Sequence, residues 1–218
     1  MLTRTYIINY YLSVRTKPTS YLEIGIQNPK ANFDKIVADK KDGVDPNPDC
    51  KCEYIMTSDQ FFEQNMSKYD VIFIDGDHTF GQVYKDVINS LNCMKIGGII
   101  VMHDCNPPTE WHQRKRENVQ KMDGPWNGTV WKAFVKLRCE NSNLKMFVID
   151  TDCGVGIIIP NQQQYLFSCD EDIYDYNVFD RYRKKALNLI SENEWLANIN
   201  EKKLFDDKFV KIKCQEDL

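Results

Sequence analysis

The run Val71-Ile72-Phe73-Ile74-Asp75-Gly76-Asp77-His78 decides the fold. Four apolar residues with no polar alternation read as a strand buried on both faces, and the acid-glycine-acid-histidine cluster closes it at its carboxyl end. Downstream, Phe80, Val83, Val87, Leu91 and Met94 keep helical spacing up to Lys95, and Gly97-Gly98 is expected to end that helix. Ile99-Ile100-Val101-Met102 is the next buried strand, and it ends in His103-Asp104. Upstream, Tyr21 to Ile26 is a short apolar run closed by Gln27-Asn28-Pro29. Asn32 is placed to cap a short helix through Phe33, Ile36 and Val37, and Gly43 to Pro46 reads as a strand ending in Asp45. Glu53 to Met56 is a further short strand, and Thr57-Ser58-Asp59 opens a helix with Phe61 and Phe62 inward. Before all of these, residues 3 to 14 carry an amphipathic helical pattern stopped at Lys17-Pro18.

Apolar strands alternating with helices predict a parallel sheet covered on both faces. After a polar stretch from Asn106 to Asn127, Val130, Phe134 and Leu137 mark a helix. Two strands then follow, Met146 to Ile149 and Gly154 to Ile159, too close for a parallel crossover and so expected to pair antiparallel. Phe179 to Trp195 reads as a helix on the sheet edge. No repeat or linker divides the chain, so residues 1–218 are expected to form a single domain.

Composition narrows the function classes. Apolar residues make up 42% and charged residues 28%, a globular balance, and a net charge of −4 with scattered basic residues gives no footprint for a phosphate backbone. Nucleic acid is therefore not an expected partner. No apolar run is long enough to span a bilayer, and the opening residues do not pattern as a signal peptide, which predicts a cytoplasmic protein. The eight cysteines, Cys214 among them, lack paired C-x-x-C spacing and are expected as reduced thiols.

In open parallel sheets ligands bind beyond the carboxyl ends of the strands. Glu23 and Gly25, Asp45, Ser58 and Asp59, Asp75 to His78, and His103 with Asp104 occupy five such ends. Gly25 lets backbone approach a ligand, yet the second and third glycines of a dinucleotide fingerprint are missing, as is a phosphate loop. A phosphate-free ligand fits better, with an ammonium to meet Glu23 and a ribose diol to meet Asp45.

Leu22-Glu23-Ile24-Gly25, Val44-Asp45-Pro46, Thr57 to Phe62, Phe73 to Phe80, Gly97-Gly98 and His103-Asp104 together resemble the class I S-adenosylmethionine-dependent methyltransferases. More narrowly they resemble the small sugar and glycan O-methyltransferases, the group that includes macrocin O-methyltransferase. The resemblance runs in order from about residue 19 to 105, and Gly128 to Arg138, Asp150 to Gly156 and Leu187 to Ser191 extend it. It implies a Rossmann-like α/β fold, with a seven-stranded, mostly parallel sheet whose last strand is antiparallel and helices on both faces. It further implies that Glu23 and Gly25 face the methionine end of S-adenosylmethionine, Asp45 the ribose, and Ser58 and Asp59 the adenine, with Asp75 also among the cofactor-binding residues. Asp75, His103 and Asp104 take the places of a divalent ion's ligands, and His78 that of the base. Relatives that use Mg²⁺ have an acidic pair where this chain has His103-Asp104, so two alternatives stand: Mg²⁺ or Mn²⁺ on Asp75, His103 and Asp104, or no metal and His103 as a second proton acceptor.

A sugar hydroxyl needs a base near neutral pH or a cation that stabilises the alkoxide; His78 meets the first need, with Asp75, Asp104 and His103 around it as the catalytic set. The opposing structural reading of His78 is a helix cap or a bond to a backbone carbonyl. Trp111, His112 and Trp126 fall where an acceptor lid would sit, or else anchor a long loop. Arg114-Lys115-Arg116 reads as a solvated charge run or else as an attractor for an anionic sugar or a diphosphate carrier, and Cys105 as a packing thiol. The expected partner is a small-molecule or glycan acceptor, with a homo-oligomer or a glycosyltransferase partner domain as further expectations. Two rival functions are a nicotinamide-dependent oxidoreductase, which should carry the missing glycines, and a non-catalytic cofactor-binding module of a glycan-building assembly.

Overall fold

The computed structural model describes residues 2–119 and 124–200. Cys214 lies outside them. Seven strands form one sheet: β1 (Ser20–Ile24), β2 (Lys40–Val44), β3 (Tyr69–Ile74), β4 (Met94–Met102), β5 (Leu144–Ile149), β6 (Val155–Pro160) and β7 (Leu189–Ile190), in the order β2-β1-β3-β4-β6-β5-β7. The ladders β2-β1, β1-β3, β3-β4 and β5-β7 are parallel; β6 runs antiparallel to both its neighbours, β4 and β5. The expected mostly parallel sheet with an antiparallel carboxyl-terminal strand is therefore present, although a two-residue parallel strand follows β6 in the chain.

Both faces of the sheet are buried because both alternating sets of side chains are apolar. Leu22, Ile24, Ile72, Ile74, Ile100 and Met102 pack into one core, whereas Tyr21, Val71, Phe73, Ile99 and Val101 pack into the other. The first core is covered by α3 (Phe80–Asn92), α4 (Val130–Glu140) and α5 (Tyr176–Leu187), where Trp131 stacks on Phe179 with ring centroids 3.9 Å apart. The second is covered by α1 (Arg4–Ser13) and α6 (Glu192–Asn200), which meet at the fully buried Trp195. Burying each large side chain of this kind contributes roughly 1.5–3 kcal/mol.

Several local expectations are corrected. Glu53 to Met56 is not a sheet strand: only Tyr54 bridges to Val44, and the chain leaves at once for α2 (Ser58–Gln64). The Asn32 side chain caps nothing; the short helix there is a single 3₁₀ turn, Phe33–Lys35, and Asn32 turns inward to Glu23. Gly97 and Gly98 do not end α3, which stops at Asn92, but lie inside the long β4. The helix expected over Phe179 to Trp195 is broken by Asn188 in the left-handed region, which frees Leu189–Ile190 to pair with β5 at the sheet edge. The described cysteines are free thiols, and Cys105 is buried in the core as expected.

Candidate active site

A cleft of about 740 Å³ opens where β1, β2, β3 and β4 end. Glu23, Gly25, Asp45, Ser58, Asp59, Asp75, His78, His103 and Asp104 all line it, so the topology gathers every sequence-predicted site residue at one place.

The turn after β1 supplies one wall. Gly25 has φ +86°, and a Cβ there would stand 2.3 Å from the Asp75 carbonyl oxygen, so only glycine lets this turn lie against the β3 turn. Glu23 is 2% exposed; its Oε2 accepts hydrogen bonds from the Tyr21 hydroxyl and, at 2.9 Å, from Asn32 Nδ2. Burial pushes its pKa up to about 7 against those two bonds. Asp45 is fixed by two backbone donors, Gln27 N and Asn47 N, each at 2.8 Å. Each of its carboxylate oxygens keeps lone-pair capacity for a further donor. Ser58 and Asp59 sit in the first turn of α2, whose start is set by a capping box between Thr57 and Gln60. Gln82 of α3 joins them, its Nε2 donating to Ser58 Oγ at 3.1 Å and to Asp59 Oδ1 at 3.0 Å.

The opposite end holds the acids and histidines. Asp75 Oδ1 lies 3.1 Å from His78 Nε2 and 3.2 Å from His103 Nδ1; Asp104 Oδ2 lies 3.2 Å from His78 Nδ1 and 3.3 Å from His103 Nδ1. Both imidazoles thus bridge the same two carboxylates. His78 and Asp104 have φ of +61° and +59°, left-handed values rare outside glycine and costing of the order of 1–3 kcal/mol each. Gly128 presses directly on the His78 backbone, and Thr129 N donates to the His78 carbonyl at 2.8 Å, which holds that conformation. Burial lowers the His78 pKa, but the bond to Asp75 and the charges of Asp104 and Asp75 outweigh it and leave the ring above its ordinary 6.5. His103 is raised further, burial being overcome by Asp75, Asp104 and Asp152. Conversely, Asp75 is held well below the usual carboxylate range, its burial outweighed by His103 and His78.

Sequence reasoning missed two members of this cluster. Arg4, on the first turn of α1, lines the cleft with Nη1 2.8 Å from His103 Nε2 and 3.2 Å from Asp152 Oδ1. The guanidinium can only donate, so the neutral His103 ring carries its proton on Nδ1, toward Asp75 and Asp104; the protonated ring also reaches Asp152 Oδ1 at 3.4 Å. Asp152, in the β5-β6 turn, is pulled to about 2 because its bonds to His103 and Arg4 outweigh burial. An arginine on an apolar helix and an acid in a hairpin turn give no local signal of a shared site. Trp126 was weighed only as lid or anchor; its indole stacks on His78 with ring centroids 5.5 Å apart, and its carbonyl lies 3.3 Å from His78 Nδ1. The carbonyl bond of the opposing reading of His78 is therefore present, alongside both acid contacts. Arg116 pairs with Asp77 at the cleft rim, whereas Trp111 is exposed and covered by Arg114.

One ligand-type atom from each of Asp75, His78 and Asp104 falls within 4.8 Å of the others, so the residues present suit a cation. The set mixes hard oxygens with imidazole nitrogen, a chemistry open to Mn²⁺ as well as Mg²⁺. It brings His78 into the group where Asp75, His103 and Asp104 were expected. His103 Nδ1 faces the same two carboxylates, and its Nε2 is taken by Arg4.

A mostly parallel sheet with one antiparallel insertion, a glycine turn after β1 and acids at successive strand ends define an open α/β fold with its cleft at the carboxyl ends of the strands. Residues 9–105 match the family model described as a methyltransferase domain, somewhat under half of the chain. No curated protein matches it at a significant level. Among solved structures, the S-adenosylhomocysteine-bound methyltransferase PaMTH1 of Podospora anserina shares 15% identity over 72% of this chain and 79% of that one, with a TM-score of 0.51. Cofactor-bound Rv0187 from MTB shares 11% over 74% and 82%, with a TM-score of 0.52. Over residues 9–105 the chain is similar to a methyltransferase domain, and it shares the fold of these two solved structures. Among the described residues no helix is long and apolar enough to cross a membrane.

Proposed function

We propose that the chain is an O-methyltransferase acting on a hydroxyl of a sugar or glycan, with His78 as the base. The observation that carries this reading is the position of His78: an imidazole at the cleft floor, held between Asp75 and Asp104 and roofed by Trp126. S-adenosylmethionine, when bound, supplies a methyl group already activated for displacement. What remains for the protein is to bind and orient the two reactants and to take up one proton.

Glu23 would meet the ammonium, Asp45 the ribose diol, Ser58 and Asp59 the adenine ring, with Gly25 and Asp75 bounding the methionine end. His78 would accept the hydroxyl proton, and the resulting imidazolium is stabilised by the two carboxylates that already raise its pKa. The Trp126 indole offers an apolar face on which a sugar ring can stack. A divalent ion, where one binds, would be held by Asp75 and Asp104 with an imidazole of His78 or His103, and would supply charge stabilisation for the acceptor oxygen. The carboxylates that attract protons to these rings attract such a cation for the same electrostatic reason. Partner copies or a glycosyltransferase domain remain part of the proposal only as the setting in which a glycan acceptor would be delivered.

The test is transfer of isotopically labelled methyl from S-adenosylmethionine to a panel of sugars, glycosides and nucleotide sugars, set beside amine, thiol and carboxylate acceptors. Label recovered as an ether on a sugar carbon supports the reading. Label recovered on nitrogen, sulfur or a carboxylate overturns the acceptor class.

A further inference from the structure

Asn32 is 3% exposed and lines the cleft beside Glu23. Its Nδ2 donates to Glu23 Oε2 at 2.9 Å and to the Tyr21 hydroxyl oxygen at 3.3 Å, which uses both amide hydrogens. Its Oδ1 accepts from Thr5 Oγ1 of α1 at 2.7 Å. Tyr21, fully buried on β1, in turn donates its single hydrogen to Glu23 Oε2 at 2.5 Å, and the bond it accepts from Asn32 keeps that hydrogen turned to the carboxyl. Phe33 packs its ring against Tyr21, with centroids 6.2 Å apart, and so holds Asn32 in place. Both donors fall on one carboxylate oxygen, and among the described residues no hydrogen bond reaches Oε1. Oε2 thus meets donors alone, surroundings that suit the ionised carboxylate and not the neutral acid.

Resting on the assignment of Glu23 to the cofactor ammonium, we infer that Asn32 and the Tyr21 hydroxyl it holds are positioning residues, which grip the Glu23 carboxylate by one oxygen and leave the other for the ammonium. The pair therefore sets how strongly the cleft prefers a ligand that carries an ammonium over the same ligand without one. Burial pushes the Glu23 pKa up and the two bonds pull it down, while the charge of Asp75 from the β3 turn adds to the rise and that of Arg4 from α1 opposes it. A change at Asn32 or Tyr21 leaves Asp75 and Arg4 as they are. The loss of either donor should then move the balance toward the neutral acid.

The probes are S-adenosylhomocysteine and its desamino analogue, in which hydrogen replaces the α-amino group, titrated calorimetrically at pH 7 and pH 8. Wild-type protein should prefer the amino compound about tenfold or more at pH 7. Asn32→Leu, similar in size and without a donor, removes one bond to a charged group and should lower the ionised fraction of Glu23 at pH 7 from about one-half to about one-tenth. The preference should then fall about fivefold at pH 7 and only about twofold at pH 8, with affinity for the desamino compound unchanged within about twofold. An equal loss for both compounds, which a merely structural role would give, overturns the inference. So does a folded variant, checked by near-ultraviolet circular dichroism, that keeps the wild-type preference. If Asn32→Leu does not fold, Tyr21→Phe, which deletes one oxygen, is measured in its place with the same expectation. A wild-type preference within about twofold overturns the ammonium assignment and the inference with it, whereas wild-type protein that binds neither compound overturns the cofactor reading itself.

Discussion

Cofactor affinity should rise with pH through neutrality, because the carboxyl expected to meet the ammonium is held protonated by its own burial. Glu23 has its pKa pushed up to about 7 by burial, with Tyr21 and Asn32 pulling it down and Asp75 adding to the rise. With that value about one-tenth of Glu23 is ionised at pH 6 and about nine-tenths at pH 8, so affinity for S-adenosylhomocysteine should increase on the order of tenfold over this range. The sign for stability is opposite. The folded pKa lies above the ordinary 4.5, so the contribution of Glu23 to the stability of the cofactor-free protein is fully present below about 4.5 and is lost as pH rises through about 7, on the order of 3 kcal/mol as an upper bound. Binding of the ammonium offsets part of that loss. Calorimetry at pH 6, 7 and 8, each in two buffers of different ionisation enthalpy, should show proton release near pH 6 that vanishes at pH 8. Glu23→Gln should bind weakly with a flat profile. A flat wild-type profile with no proton exchange would refute the assignment of Glu23 to the ammonium.

His78→Ala should lower turnover by on the order of 10² to 10⁴ with cofactor affinity nearly unchanged, and wild-type turnover should fall as pH drops through a group titrating above 6.5; steady-state rates against pH check both. Asp45→Ala should weaken S-adenosylhomocysteine binding by about 1.5 to 3 kcal/mol, read by calorimetry, through loss of a charged acceptor and release of the Gln27 and Asn47 amides. Gly25→Ala should cost roughly 1–3 kcal/mol of folding stability and displace the Asp75 turn, which thermal unfolding and cofactor titration together report. If a metal serves the reaction, exhaustive chelation should cut turnover while leaving cofactor binding in place, and added Mn²⁺ or Mg²⁺ should restore it.

The sheet was legible because its strands are written in runs of apolar residues that leave no polar face, as in Val71 to Ile74 and Ile99 to Met102. The cleft residues were legible for the same reason, since a polar residue that ends such a run sits at the mouth of the sheet. What escaped reading depends on partners distant in sequence. Tyr54 looked like a strand residue, but its neighbours turn away after one bridge. Gly97 and Gly98 looked like a helix stop, while pairing with β3 draws them into an extended ladder. Arg4 and Asp152 meet 148 residues apart, and only the packing of α1 against the β5-β6 turn brings them to His103.

The most direct test of the central claim is a calorimetric titration of the wild-type chain with S-adenosylhomocysteine and, separately, with NADH. A cleft with acids at its strand ends and a single glycine in its first turn should bind the phosphate-free thioether nucleoside in the micromolar range, roughly −7 to −8 kcal/mol, and leave NADH unbound. Binding of NADH without binding of S-adenosylhomocysteine would contradict the account.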